Sequence, residues 1–571
     1  MREAEPPLAG TIILGAAMSG LPRRTPSSPS RTPPGPAIVP APPTRVALLV
    51  LQVAAVAVVV AALPIPLFDL DRYTIPKELV TGAAALAAGL LCLSSARRLS
   101  LLMVDVPLGG YLLLSALSAA LATNGWLAFR ALGVSLAGAV LFWCGRTLGR
   151  TGLSRPLLMA LGCAIVLGAL TGLAQAYGLM DTSLASLTRA PGGTFGNRNF
   201  MAHLVALGLP LLLLLAIGAR DRTRFSIGGV GVALAAAALV LSRSRAAWLG
   251  AATGGIFLAV EGLWVGRLWA DARLRRRVLL LGGAAAAGLV LALVLPNRLN
   301  WRSDSPYLDS LTGVTNYKEG SGRGRLIQYG NTLEMAVHHP MLGVGPGNWP
   351  VYYPRFMSPG DPSYDADDFI PTNPWPSSDW MAVVSERGFP ALALLALVGI
   401  ATALGAWARV RQSGAKAPEL TDLTIAATLL AVAVVGSFDA LLLLPVPTFF
   451  GWTILGVLTS TAKPIRETTL TSVSRRWALI AGGIVGLLFV GRSAAQAAAM
   501  ALYDGGTMRT MEVASRVDPG SYRLHMLVST TWLRAGKCER ALPHARAAQR
   551  LFPNHPAPVR ILRSCGVRKA K

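Results

Sequence analysis

Three short stretches of this sequence carry residues able to bind or transform a substrate, and each abuts an apolar run. The first is Gly192-Gly-Thr-Phe-Gly-Asn-Arg-Asn-Phe-Met-Ala-His203. Its glycines and Asn197 and Asn199 permit tight turns and expose backbone amides that suit phosphate or sugar; it reads equally as a plain turn into a helix. The second, Ser242-Arg-Ser-Arg-Ala-Ala-Trp248, offers Arg243 and Arg245. A guanidinium is a planar donor fork matched to a diphosphate, and the alternative is an interfacial arginine snorkelling from a helix end. The third runs from Gly322 to Asn348 and holds Arg323, Arg325 and His339; beyond it come Asp361, Asp365, Asp367, Asp368, Trp375, Asp379 and Trp380. Acidic and aromatic residues in one loop suit sugar stacking and hydroxyl recognition, or simply a solvated surface.

The elements that must position these residues are set by composition. Of 571 residues, 53% are hydrophobic and 14% charged, against roughly 25% charged in soluble chains. That deficit indicates a polytopic membrane protein. The 53 basic residues against 28 acidic ones give a net charge of +25. They cluster between apolar runs rather than among aromatic residues, which argues for cytoplasmic loops and against nucleic acid. Apolar runs long enough to cross a ~30 Å hydrocarbon core lie near 46–67, 78–95, 101–122, 127–144, 156–177, 200–218, 225–242, 247–265, 278–295, 389–408, 421–438, 442–461 and 478–497. The expected organisation is a disordered Pro/Arg-rich tail (1–44), spans one to nine (45–295), a large outer loop (296–388), the remaining spans (389–497) and an outer C-terminal segment (498–571). Residues 1–44 lack the order of a cleaved signal peptide, so the first span is expected to act as an uncleaved signal.

Basic residues fall on alternate connections, as at Arg97 and Arg98, Arg220 to Arg224, Arg273 to Arg277 and Arg475 and Arg476. With a cytoplasmic N-terminus this puts the loop 296–388 and everything after 498 outside. In the loop, Leu326, Tyr329, Leu333 and Val337 have helical spacing. In the tail, Leu524, Trp532, Gly536, Ala541, Ala548 and Pro553 follow tetratricopeptide spacing for up to two repeats, fewer than the roughly three usually stable alone. The tail reads as a partner-docking module or a stabilising cap, and packing on the membrane part or a Cys538–Cys565 bridge in an oxidising compartment would support it. Cys92, Cys144 and Cys163 read as core residues. No CxxC spacing occurs and histidines number six, so neither a metal site nor a cofactor is expected. The charges within spans (Asp105, Arg130, Glu261, Arg492) lie toward span ends, and Asp439 sits at a break. Chemistry at the outer interface fits that distribution better than transport, which calls for charge at mid-membrane.

Four pieces together resemble the O-antigen ligase and polymerase family: Gly196-Asn-Arg-Asn-Phe-Met-Ala202, Ser244-Arg-Ala-Ala-Trp248, Gly324-Arg-Leu through His339-Pro-Met-Leu-Gly-Val-Gly-Pro-Gly-Asn348, and Asp379-Trp-Met through Ser-Glu-Arg-Gly-Phe-Pro390. The resemblance implies an all-α protein of about 12–13 transmembrane helices in a bacterial inner membrane, with the loop and C-terminal segment periplasmic. It implies a metal-independent glycosyltransferase acting on undecaprenyl-diphosphate-linked glycans, with another glycan or lipid A core as acceptor. On that reading Arg245 and Arg325 hold the diphosphate and Arg243 or Arg323 assists, while Asn197, Asn199, His339, Asn348 and Trp380 contribute to substrate binding. The ligase pattern has a His-Asn pair where this chain has Ser377 and Ser378. A serine is no base near neutral pH, so the base falls to Asp379 or Glu386, or to His203 or His339 approaching from elsewhere. Polymerisation of repeat units is the leading expectation. Ligation, a lipid-linked sugar transporter and a non-catalytic scaffold are the alternatives, with protein partners through the C-terminal repeats.

Overall fold

The computed structural model describes residues 40–65, 68–180, 190–264, 271–301, 303–313, 316–365, 373–412 and 420–569. The tail residues 1–39, and Arg189, Asp367, Asp368 and Thr372, lie outside them.

A chain in hydrocarbon must satisfy its backbone polar groups internally, so each apolar run forms a helix. The helices are α1 (Pro42–Val60), α2 (Asp71–Ser95), α3 (Asp105–Ala120), α4 (Gly125–Arg150), α5 (Ser154–Ala176), α6 (Arg198–Ile217), α7 (Arg222–Ser242), α8 (Arg245–Trp264) and α9 (Ala272–Val294). After the loop helices α10 (Pro306–Thr312), α11 (Gly320–His338) and α12 (Trp349–Tyr352) come α13 (Asp379–Gln412), α14 (Leu420–Phe438), α15 (Pro445–Leu458) and α16 (Ser472–Asp504). Among the described residues ten of these are long and apolar enough to cross a membrane, while α3 and α15 are shorter apolar helices. The first helix departs from expectation at both ends. It starts at Pro42, within the tail assigned to 1–44, and stops at Val60 rather than 67. Pro64 and Pro66 follow, and proline disfavours helix in the residue before it.

Beside these helices the all-α fold carries one short ribbon. β1 (Arg98–Leu101) pairs antiparallel with β2 (Arg466–Thr469). It ties together two connections that the basic-residue pattern puts on one side.

Two breaks shape the opposite end. In α13, Gly388 has φ 84°, and a Cβ there would lie 2.3 Å from the Met341 carbonyl oxygen, so only glycine fits. Loop residues dock into this kink: Val344 N–H donates to Ser385 O at 3.0 Å and Gly345 N–H to Glu386 O at 2.9 Å. The second break separates α14 from α15. There the Asp379 carboxylate accepts the amides of Leu441 and Leu442 at 2.9–3.1 Å.

α16 has 33 residues, about 50 Å of helix, longer than a bilayer core requires. It leads into α17 (Met508–Val517), α18 (Tyr522–Arg534), α19 (Cys538–Leu551) and α20 (Pro556–Lys569), successive antiparallel helices with short connections. Cys538 and Cys565 are disulfide-bonded, their Cα atoms 5.4 Å apart. The segment also packs on the rest of the protein. Tyr522, Met526, Phe552 and Ile561 form a core with Val351 and Leu127, and Leu524 joins Ile75 and Met500. Arg523 pairs with Asp71 at 3.0 Å, and Arg355 donates to Asn554 at 2.7 Å. Two helical hairpins too small to be stable alone thus have both packing and a covalent bridge.

Candidate functional site

α7 ends in a tight reversal. Arg243 has φ 51°, the one positive φ outside glycine among the described residues, a conformation that costs energy for a residue with a Cβ and so marks a constrained turn. Arg243 Nε donates to Ser310 Oγ at 2.7 Å, and its guanidinium lies 4.6 Å from the centre of the Trp301 ring. Two residues on, Arg245 donates to the Gly313 carbonyl and to Ser321 Oγ. From the loop, α11 brings Arg325 to the same place. Arg245, Arg325, Tyr317, Gly322 and Phe438 line a narrow cleft of about 20 Å³. Arg323 is exposed and does not belong to that lining. Among the described residues, no ion pair joins Arg243, Arg245, Arg323 or Arg325 to a carboxylate. Asp309 acts electrostatically on Arg243, whereas no carboxylate among the described residues neutralises Arg245 or Arg325.

Phe438 of the cleft is followed directly by Asp439, at the α14–α15 break. Asn197 caps α6, its Oδ1 accepting the Asn199 amide at 3.0 Å. Asn199 Nδ2 in turn donates to Asp439 Oδ2 at 3.1 Å. One turn further along α6, the fully buried His203 presents Nε2 3.6 Å from the same oxygen. Arg325 is near enough to act electrostatically on His203 and on Tyr329, one turn beyond it on α11. Tyr329 Oη lies 2.6 Å from Ser377 O and 2.8 Å from Ser437 O, and donates its one proton to either carbonyl. Burial pushes the Tyr329 phenol up to about 12, so it stays protonated and clamps loop to break.

The remaining sequence-predicted residues take other places. Ser377 receives its backbone partners from α11, with its N–H donating to Gln328 at 2.6 Å, and Ser378 Oγ donates to Gly436 O at 3.0 Å. Asp379 is fully buried on the amides of the break. Glu386, 2% exposed, accepts the Trp349 amide at 3.4 Å and lies 3.4 Å from Arg387. The Asn348 side chain pairs with the backbone of Asn124, its Oδ1 accepting the N–H at 2.8 Å and its Nδ2 donating to the carbonyl at 3.1 Å. Trp380 Nε1 donates to Ala433 O and Ser437 Oγ at 3.2 and 3.1 Å. His339 stacks edge-on against Tyr352 at 5.5 Å; burial, then neighbouring His338 and Arg355, lower its pKa. The arginine cleft and the Asp439 cluster thus bring together Arg245, Arg325, Asn199 and His203, with Asn197 holding the turn. Sequence reasoning placed no role on Asp439, although an ionisable residue interrupting an apolar run was the available signal.

A second space opens beside these groups. A cavity of about 460 Å³ is bounded by α2, α4, the kink of α13, α16 and the C-terminal helix α18. Its charges come in pairs. Arg130 chelates Glu78 at 2.7–2.9 Å, and Arg387 faces Glu386 at 3.4 Å. Arg523 pairs with Asp71 at 3.0 Å, and Arg492 with Asp518 at 3.2 Å. Trp375, Leu442 and Leu443 also line it, and the two leucines belong to the break that carries Asp439. The Trp375 ring lies 6.1 Å from Phe200, itself 6.5 Å from His203.

A bundle of helices long and apolar enough to cross a membrane, with an arginine cleft and a buried carboxylate beside it, defines a polytopic membrane protein with a polar cluster among its helices. Residues 230–396, from α7 to the kinked α13, match the family model described as O-antigen ligase, so that segment is similar to the O-antigen ligase/polymerase family. The match covers under a third of the sequence but includes both arginine motifs and the whole outer loop. A role in membrane glycan processing follows from it. No curated protein matches the chain.

Proposed function

We propose that the protein is an inner-membrane glycosyltransferase that polymerises repeat units carried on undecaprenyl diphosphate. The observation that carries this reading is the pairing of an uncompensated arginine cleft with a carboxylate one residue beyond its lining. In the proposed reaction Arg245 and Arg325 bind the donor's diphosphate, displacing the Gly313 carbonyl and Ser321 hydroxyl that Arg245 now engages. An acceptor hydroxyl forms a bond to the anomeric carbon as the bond from that carbon to the diphosphate oxygen breaks, and the diphosphate leaves with the electron pair. Charge grows on the leaving group in the transition state, where fixed guanidinium groups stabilise it without a metal ion. The hydroxyl proton passes to Asp439, which Asn199 orients and His203 backs.

Basic connections joined by the β1–β2 ribbon, and a disulfide at the other end, support a cytoplasmic N-terminus and a periplasmic site and C-terminal domain. The ligase reading has the family's own description in its favour, and the same cleft would serve it with lipid A core as acceptor. The glycan profile of a deletion strain separates the two. Polymerase function predicts accumulation of single lipid-linked repeats without long chains. Long chains stranded on the carrier beside bare core mean ligase, and an unchanged profile contradicts both.

A further inference from the structure

The charge pattern of the 460 Å³ cavity narrows what it takes. We propose that it seats an uncharged stretch of the acceptor glycan, with the C-terminal helices as one of its walls. This deepens, and rests on, the glycosyl-transfer reading above.

Every guanidinium lining the cavity already faces a carboxylate: Arg130 with Glu78, Arg387 with Glu386, Arg523 with Asp71 and Arg492 with Asp518. A phosphate or uronate entering this space would have to break a pair or lie against Glu78 and Glu386 uncompensated, and both are costly at buried sites. Sugar hydroxyls carry no such penalty, because each both donates and accepts. They can bridge a carboxylate oxygen on one side and an N–H on the other without separating the pair.

The cavity also holds polar atoms that lack partners. Among the described residues, Arg387 Nε, in a residue 1% exposed, finds no hydrogen-bond partner, nor do Arg492 Nε and the hydroxyl of Tyr522, itself 4% exposed. Buried polar atoms are seldom left so without a ligand or water to satisfy them. Trp375, Tyr522 and Phe552 add aromatic surface to the lining, giving the combination of apolar area with a few convergent polar groups typical of small-molecule sites. Leu442 of the lining is three residues from Asp439, and Trp375 lies against Phe200, next to the Asn199 that holds the Asp439 carboxylate, so a glycan at that part of the lining is directed toward Asp439. Tyr522 and Arg523 belong to α18, which gives the C-terminal segment a share in acceptor selection rather than the role of a remote docking arm.

The probe is the glycan released by mild acid from the lipid-linked intermediate that accumulates in a deletion strain. Its binding is measured to the full chain in lipid nanodiscs, with farnesyl diphosphate as the second ligand. The glycan is expected to carry no carboxylate or phosphate. Arg387→Ala is expected to weaken its binding about tenfold or more and Tyr522→Phe, which keeps the ring and so the packing, a few-fold. Neither should change farnesyl diphosphate binding, which Arg245→Ala should abolish. An anionic glycan, or a neutral one that both variants bind as tightly as the parent, overturns the proposal. If no lipid-linked intermediate accumulates, the glycosyl-transfer reading itself fails and this assignment falls with it. Unaltered farnesyl diphosphate binding in Arg245→Ala removes the diphosphate assignment alone.

Discussion

Two polar regions at one end of the bundle treat charge in opposite ways. In the cleft of Arg245 and Arg325, Arg245 meets a carbonyl and a hydroxyl oxygen, and no carboxylate among the described residues pairs with either guanidinium. In the neighbouring cavity each arginine is matched to an acid, two of them, Arg387 and Arg492, with side chains under a tenth exposed. A cation held without a counter-ion is unfavourable until an anion arrives, so the first region is prepared for a ligand that brings negative charge. Matched charges are neutral as a set and offer hydrogen bonds instead of net field. Substrate diphosphate and substrate sugar are the two kinds of group that such regions would divide between them.

The largest expected effect comes from removing the unmatched charge. Arg325→Ala or Arg245→Ala should reduce product by about 10²–10³-fold, the range for losing a donor to developing negative charge, read as lipid-linked repeat converted per cell at equal protein level. Lysine at either position should restore only a fraction, because it lacks the bidentate fork. Asp439→Asn should lower turnover by about 10²-fold or more while leaving farnesyl diphosphate binding intact; a binding defect instead would make Asp439 an organiser of the cleft.

Breaking a matched pair should act on folding rather than on diphosphate. Glu78→Gln leaves Arg130 without its bidentate partner, at a cost of about 3–5 kcal/mol for a buried pair, measured as loss of thermal stability of the purified protein. Gly313→Ala sharpens the other side. A Cβ there would lie 2.9 Å from Arg245 Nη1 and 2.8 Å from the Asp309 carbonyl oxygen, so the guanidinium and the local backbone must shift, and activity should fall about tenfold, equivalent to ~1.4 kcal/mol, with some loss of stability from the backbone contact.

The smallest effect is expected in the C-terminal helices. His525 and His544 face each other, Nδ1 to Nδ1, at 3.1 Å. Burial lowers both pKa values; the Pro519 carbonyl opposes this at His525 and Glu512 opposes it at His544. A folded pKa below the unfolded value of about 6.5 means the unfolded chain binds more protons. The pair's contribution is thus present above pH 6.5 and is lost as pH falls. Protection factors against hydrogen exchange in α18 and α19, corrected for the intrinsic pH dependence of exchange, should therefore be lower at pH 5.5 than at 7.5, and His544→Asn should flatten that dependence.

Much of this contrast could be read from the sequence, but unevenly. Helices were legible because a bilayer imposes long apolar runs, and Arg243 and Arg245 stood out because they break the basic-side pattern. What joins residues distant in the chain was not. Asp439 meets Asn199 across 240 positions, and nothing local to either marks the contact. Asp379 looked available as a base until the break placed two amides, from 62 and 63 residues later, on its carboxylate. The β1–β2 ribbon escaped notice for the same reason, since its strands of four residues pair across more than 360. The ion pairs of the cavity unite α2 with α4 and α16 with the tail, so charges that appeared singly at span ends in the sequence are partners in space.

The most direct test is glycosyl transfer by the purified full chain from its own lipid-linked repeat, comparing the parent with Arg325→Ala and Tyr522→Phe. The account predicts that Arg325→Ala stops turnover even at saturating acceptor, while Tyr522→Phe raises the acceptor concentration needed and keeps the maximal rate. Full activity in Arg325→Ala at normal stability would contradict it.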